Sequence, residues 1–285
     1  MKKFHKAFLI AAAATSVFAF ASCSDDDDDD SNSSSFSTEL PASSGTNEVS
    51  GKTYTLTASD FTYTWEFSDS TATFTLEYDS QKEIHNYKYT YDSSNKLLSF
   101  GYISVSKYGV TVSSVNDYVN MVKQFAESEG ETWTDDLAAW YTAEAKAHYT
   151  TPEVLKYELN GTSLKLTPYY FDGTLPTAAE FEVSTTSGYI ELTDASRIKI
   201  NDNGTKYYCY PTYNNGSFSG TIYKGHDKKN VGTIAGTYTT SGTGVSGSSV
   251  KLTFTTLPDA ISGFEKNNAY TLKQSSGSTG TFTQK

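Results

Sequence analysis

Phe61-Thr62-Tyr63-Thr64-Trp65-Glu66-Phe67 is the stretch that decides the fold. Its odd positions are aromatic and its even positions polar, so an extended chain puts Phe61, Tyr63, Trp65 and Phe67 on one face. That is a strand with one buried side, and Trp65 is assigned to the core. The same alternation continues in Thr73-Phe74-Thr75-Leu76-Glu77-Tyr78 and in Tyr87-Lys88-Tyr89-Thr90-Tyr91. Asp92-Ser93-Ser94-Asn95 then reads as a turn, because those side chains bond nearby backbone. Leu97 to Val105 supplies the returning strand. The pattern predicts an antiparallel meander of about five strands.

Composition agrees with a β reading. The 285 residues include 22 Tyr and 16 Phe, and Ser with Thr makes up about a quarter of the chain. Tyr, Phe and Thr suit a pleated, half-buried surface. The balance disfavours a helical bundle, and the aromatics are too many for a disordered chain. The length allows one large domain or two ordinary ones. A net charge of −11 gives no basic footprint for nucleic acid.

The period changes between Ser113 and Tyr149. Val115, Tyr118, Val119, Val122, Phe125 and Ala126 recur at helical spacing. Ser114 with Asp117 three residues on is similar to a capping box, and Gly130 is placed to stop the helix. Trp133, Leu137, Trp140, Tyr141 and Glu144 to His148 signal a second helix. Thr132 or Thr134 can cap it, and Thr151-Pro152 ends it. The reading is a helical hairpin, 113–149, set inside a β protein.

After Pro152 the strands return, with an internal repeat. Gly161-Thr162-Ser163-Leu164-Lys165-Leu166-Thr167 matches Gly247-Ser248-Ser249-Val250-Lys251-Leu252-Thr253. Leu175-Pro176, Phe181-Glu182 and Tyr189 with Leu192 are echoed by Leu257-Pro258, Phe264-Glu265 and Tyr270 with Leu272. Tyr91 and Leu98 against Tyr157 and Leu164 give a fainter echo. The expected fold class is mainly β: antiparallel meander barrel or sandwich modules with an inserted α-helical hairpin. One module would span 51–170 with the hairpin in it, and a related one 171–285. The pattern resembles the lipocalin-like or calycin-like β domains of bacterial lipoproteins, which implies fold and not ligand.

The N-terminus reads as an address. Lys2, Lys3 and Lys6 precede an apolar run from Ala7 to Ser22, too short for a comfortable membrane span of about 20 residues. Phe20-Ala21-Ser22-Cys23 follows, and then six aspartates, Asp25 to Asp30. The first motif resembles the lipobox of bacterial lipoproteins, with Phe20 where the usual residue is aliphatic. The acidic run is similar to the tether behind the lipidated Cys in surface lipoproteins of Bacteroidetes and of some spirochaetes. The resemblance implies a signal peptide at 1–22, cleavage between Ser22 and Cys23, and acylation of Cys23, with palmitate among the acyl groups. It also implies display from the outer membrane on a disordered tether, 23–50. Ala19-Phe20-Ala21 also reads as an ordinary secretory cleavage site, the competing reading. Without the signal, 22 basic residues become 19 against 33 acidic ones, and −11 becomes −14. Cys209, the other cysteine, reads as a small buried hydrophobe.

Motifs for chemistry are sparse. Gly242-Thr243-Gly244-Val245-Ser246-Gly247 fits a dinucleotide fingerprint in letters, but a strand follows it where a helix is required. Asn201-Asp202-Asn203-Gly204 reads as a turn, not a calcium loop, since Lys199 stands where the first acidic ligand belongs. Of the histidines beyond the signal, His85, His148 and His226, no two have metal-binding spacing. Glu129, Glu131, Asp135 and Asp136 flank helix ends, where acids are stabilising in any case. No catalytic, metal or cofactor motif emerges, so the expectation is a non-enzyme. The residues singled out for ligand contact are Trp133, Trp140, Tyr169, Tyr170, Tyr208 and Tyr210, since aromatic faces can stack on sugar rings. The expected function is a lipid-anchored binding or adhesion module. Its partners would be the membrane and a glycan, peptide or small apolar ligand. An envelope spacer and a secreted hydrolase are the alternatives.

Overall fold

A computed structural model describes residues 35–285, apart from 37, 80, 108, 170–178, 226, 243–247 and 278–279. The meander read from the sequence is there: β1 (Thr53–Ala58), β2 (Phe61–Phe67), β3 (Thr71–Tyr78), β4 (Gln81–Asp92) and β5 (Leu97–Lys107) pair antiparallel in succession. A short β6 (Val110–Val112) folds back on β5, and β7 (Glu153–Asn160) and β8 (Ser163–Pro168) continue the sheet. The strand that closes it comes from the far end of the chain. β18 (Gly280–Gln284) lies between β8 and β1, which makes an eight-stranded up-and-down barrel.

The second barrel is built from the chain between β8 and β18. β9 (Ala179–Thr185), β10 (Gly188–Thr193), β11 (Arg197–Asp202) and β12 (Thr205–Cys209) run in order. β14 (Ser217–Lys224), β15 (Lys229–Ser241), β16 (Ser249–Thr256) and β17 (Ala269–Gly277) follow, with β13 (Thr212–Asn214) an outrigger on β14. β12 pairs with β14 and β17 with β9, so this barrel also closes on eight strands. One barrel is therefore inserted in the other. The last strand, which lies inside the expected second module 171–285, closes the first barrel instead: Phe282 is buried in the first core, not the second.

The cores follow the alternation. In the first barrel Trp65 packs its indole against Phe67, Phe74, Tyr87 and Phe100 at centroid distances of 4.9–5.6 Å. An eight-stranded barrel has a lumen about wide enough for its own side chains or one small ligand. Here stacked rings occupy the space around Trp65. The second core is more aliphatic, with Ile190, Leu192, Ile198, Ile200, Ile222, Ile234, Val250 and Leu272 fully buried. Cys209 is buried there as a free thiol, as expected.

The repeat acquires a meaning from the register. Tyr157 faces Leu166 across β7–β8, and Tyr238 faces Leu252 across β15–β16. β8 and β16 are each the last strand but one of their barrels, so the first match joins equivalent places. The later matches do not. Tyr189 and Leu192 lie in β10, while Tyr270 and Leu272 lie in β17.

Two helices form between β6 and β7: α1 (Val115–Ser128) and α2 (Asp135–Tyr149). Ser114 caps α1 by accepting from Asp117 N at 3.0 Å, and Gly130 follows it at φ 79°. Thr134, not Thr132, caps α2 by accepting from Leu137 N. α1 buries one stripe, Val115, Tyr118, Met121 and Val122, in the first core.

Residues 35–50 depart from the free tether expected up to residue 50. Phe36, Thr38 and Val49 are buried, and Phe36 stacks 4.8 Å from Tyr149. Glu48 pairs with Lys96 at 2.6 Å and accepts from Tyr157 Oη at 2.7 Å. Two apolar anchors and a charge-assisted bond tie this strap to the first barrel. Residues 1–34, with Cys23 and the six aspartates, lie outside the described residues.

Candidate functional site

The second helix carries two working faces. Tyr141, Ala145 and Tyr149 turn to the first core, while Trp140, Ala143 and Ala147 turn to the second barrel. Positions 140, 143, 144, 147 and 148 make one stripe at helical spacing. It holds Glu144 and His148 beside the tryptophan. The two alanines bring the helix close to the barrel's outer wall.

That wall is built by alternation. Tyr207 and Cys209 point into the second core, so Tyr208 between them points out, opposite Tyr223 of β14. Tyr210 follows, and Arg197 opens β11 on the same side. Trp140 lies 4.9 Å from Tyr210, 5.5 Å from Tyr223 and 6.2 Å from Tyr208. Lys228, in the turn before β15, places its ammonium 4.3 Å from the Trp140 ring centre and 4.2 Å from that of Tyr208. Arg197 holds its guanidinium 5.7 Å from both Tyr208 and Tyr210. Its Nε donates to Thr193 Oγ1 at 3.0 Å. At the start of α2, Asp136 accepts from Asn230 N at 3.0 Å, which fixes the helix to β15.

The seam bends the proton affinities of its members. Burial pushes the Lys228 ammonium down to about 8; Glu144 opposes this and Arg197 adds to it. Burial raises the Glu144 carboxyl, against the pull of Arg197 and Lys228. Tyr210 Oη donates to Glu144 Oε1 at a long 3.4 Å, while Oε2 has neither solvent contact nor a hydrogen-bond partner among the described residues. Burial, with the Arg197 and Lys107 charges, pushes His148 down to about 3, so its imidazole is neutral at physiological pH.

A second polar group sits at the nearby end of the first barrel. Glu83, buried on β4, receives His85 Nε2 at 2.9 Å and Lys107 Nζ at 3.0 Å. Burial raises the Glu83 carboxyl, but the two donors win and hold it at about 2. His85 is 1% exposed, and its Nδ1 has no partner among the described residues. No cluster of three or more metal-ligating side chains occurs among the described residues.

Three of the six aromatic residues singled out from the sequence, Trp140, Tyr208 and Tyr210, meet in the seam. Trp133 instead stacks on Tyr141 at 5.7 Å over the first core. Tyr169 follows β8 and is half-buried, its N–H donating to Val154 O. Tyr170 lies outside the described residues. The charged members come from separate elements and share no sequence motif. One signal was present: Arg197 is the single arginine of 285 residues, against 21 lysines. A lone planar, always-charged donor is placed where stacking on rings is wanted.

No family model matches the chain, and no curated protein or solved structure matches it.

Proposed function

We propose that the chain is a lipid-anchored protein of the bacterial cell envelope, displayed from the outer membrane, that holds a ligand on its folded body. The observation that carries this reading is the order of features ahead of the barrels. Lysines come first, then an apolar run, then Cys23 behind two small residues, then six aspartates. A thiol at the end of an apolar signal is the acceptor that lipidation needs. Two or more acyl chains on it give stable anchoring, where one is marginal. Runs of like charge repel one another and favour hydration, the chemistry a tether calls for. No helix among the described residues is long and apolar enough to cross a membrane. The aromatic and charged seam on α2 supports the ligand-holding half of the reading, because it gathers stacking surfaces and opposite charges in one place.

The test is metabolic labelling with radioactive palmitate, followed by protease treatment of intact cells. The wild-type chain takes up label, Cys23→Ala takes up none, and the protease removes the protein from whole cells. Label that persists in Cys23→Ala removes the anchor. Protection in whole cells with cleavage after lysis places the body on the inner side of the outer membrane.

A further inference from the structure

We propose that residues 36–46 form a tension-released latch: a pull on the chain ahead of residue 35 draws Phe36 out of the first barrel, peels the strap from the wall and lengthens the tether before either barrel opens. This rests on the anchor reading above, which puts the pull at that end of the chain.

The strap has three parts, in the order in which a pull meets them. Phe36 comes first. It is 5% exposed, its ring lies 4.8 Å from Tyr149, and its N–H donates to Ser113 O at 2.8 Å. The middle is held lightly. Glu39 and residues 41–46 are exposed. Ser44 N donates to Tyr91 O, Ser44 O accepts from Ser93 N, and Thr46 N donates to Ser93 Oγ. These are single bridges to a turn, with no ladder behind them. The last part is a clasp. Asn47 Nδ2 donates to Tyr89 Oη and to Asp69 O, while its Oδ1 accepts from Val49 N and Ser50 N. Glu48 holds Lys96 and Tyr157 beside it, and Val49 is buried.

The barrel wall is cut away to seat the strap. Gly101 stands between the inward-facing Phe100 and Tyr102 and so faces outward from β5. A Cβ there would meet Thr38 Cβ at 3.3 Å and Leu40 Cδ2 at 3.6 Å. A glycine inside a strand marks such a close approach of another segment.

Contacts met in turn break one at a time. β1, next along the chain, is bonded to β2 on one side and β18 on the other, so its removal breaks two ladders together. Few buried contacts and an exposed middle make the strap the unit that opens first on this line of pull. Phe36 sets the threshold, the middle follows, and the clasp stops the release. Residues 36–46 span at most roughly 40 Å when extended.

The experiment stretches the mature, unacylated chain in optical tweezers, with one handle on the Cys23 thiol and the other on a C-terminal tag. The wild-type chain gives a reversible first step of at most roughly 40 Å, below the force of the large barrel openings. Phe36→Ala lowers the force of that step. Gly101→Val lifts the strap from the wall without touching the core, so the step is lost and barrel opening is unchanged. Glu48→Gln keeps the first step and lowers the force of the next release. Without load, a glutamate-specific protease cuts Gly101→Val at Glu39 at least about tenfold faster than the wild-type chain, because cleavage follows the open population. A wild-type chain whose first event is barrel opening overturns the proposal, as does a first step that survives Gly101→Val. Equal cleavage of the two chains at Glu39 overturns it too. The handle takes the place of the lipid, so a Cys23 that takes up no palmitate removes the anchor and leaves the latch measurable.

Discussion

Glu83 sits among groups that pull its proton in opposite directions. Burial alone would keep the carboxyl neutral, but His85 and Lys107 both donate to it and hold its value at about 2, against an ordinary 4.5. Above the ordinary value the folded and unfolded chains are both ionised there, and the stabilisation is fully present. As pH falls below it the unfolded chain takes up the proton first, and the stabilisation is lost progressively until pH passes the folded value. A shift of that size is worth about 3 kcal/mol. Urea unfolding of the first barrel at pH 7 and pH 3 measures it. Glu83→Gln lowers stability by about 3 kcal/mol at pH 7, where it leaves the buried His85 and the half-buried Lys107 without their carboxylate, and by much less at pH 3. An equal loss at both pH values would deny the ion pair this role. Little of this was legible in the sequence. Glu83 and His85 stand two apart on one strand face, but Lys107 arrives across β4–β5, and no local pattern announces such a triplet.

At the scale of elements, the helical hairpin was the most legible part and its double docking the least. Ser114, Asp117 and Gly130 mark the limits of α1 because capping is local chemistry, settled within four residues. Of the two candidate caps for α2, only Thr134 reaches Leu137 N. The two caps differ in burial, Ser114 being 4% exposed and Thr134 open to solvent. Ser114→Ala therefore costs about 2 kcal/mol, at the upper end for such changes, and Thr134→Ala about 0.5 to 1 kcal/mol. Thermal or urea unfolding of both variants checks the order, and equal costs would contradict it. Apolar residues on two sides of α2 blur its periodicity, since one face serves each barrel. A helix read as having one buried stripe therefore hides its second partner. For the same reason Trp140 could be named from its type and the surface it meets could not. Strand β18 was illegible for a different reason: Gly280-Thr281-Phe282-Thr283-Gln284 has one apolar residue, and its partners β1 and β8 lie more than a hundred residues earlier.

For the whole molecule, insertion of one closed barrel within another makes a specific demand on the chain ends. In the inserted barrel Ala179 pairs with Gly277, so entry and exit lie side by side. In the host barrel Leu166 of β8 pairs with Gly280 of β18, so the strands flanking the insertion form an interrupted hairpin. The helical hairpin leaves and returns at that same end, because β5 ends and β7 begins where β8 ends. That geometry brings α2 against the second barrel. Replacing 169–279 by a short turn such as Asn-Gly should leave an eight-stranded barrel whose every ladder is closed. A chain of 179–277 alone should likewise fold with all eight strands paired, since nothing in its ladders depends on the host. Circular dichroism and cooperative urea unfolding test both. The host barrel made this way exposes the Trp140 side of α2, so its tryptophan emission shifts to the red and its stability falls below that of the whole chain. Truncation before Gly280 has the opposite logic. It strips one strand from the host barrel, leaves β1 and β8 as open edges, and favours aggregation. Were the truncated chain to stay monomeric and as stable as the full one, the terminal strand would not be closing the barrel. A soluble 179–277 fragment beside an aggregating truncation is the pair of results that insertion of one barrel into another requires.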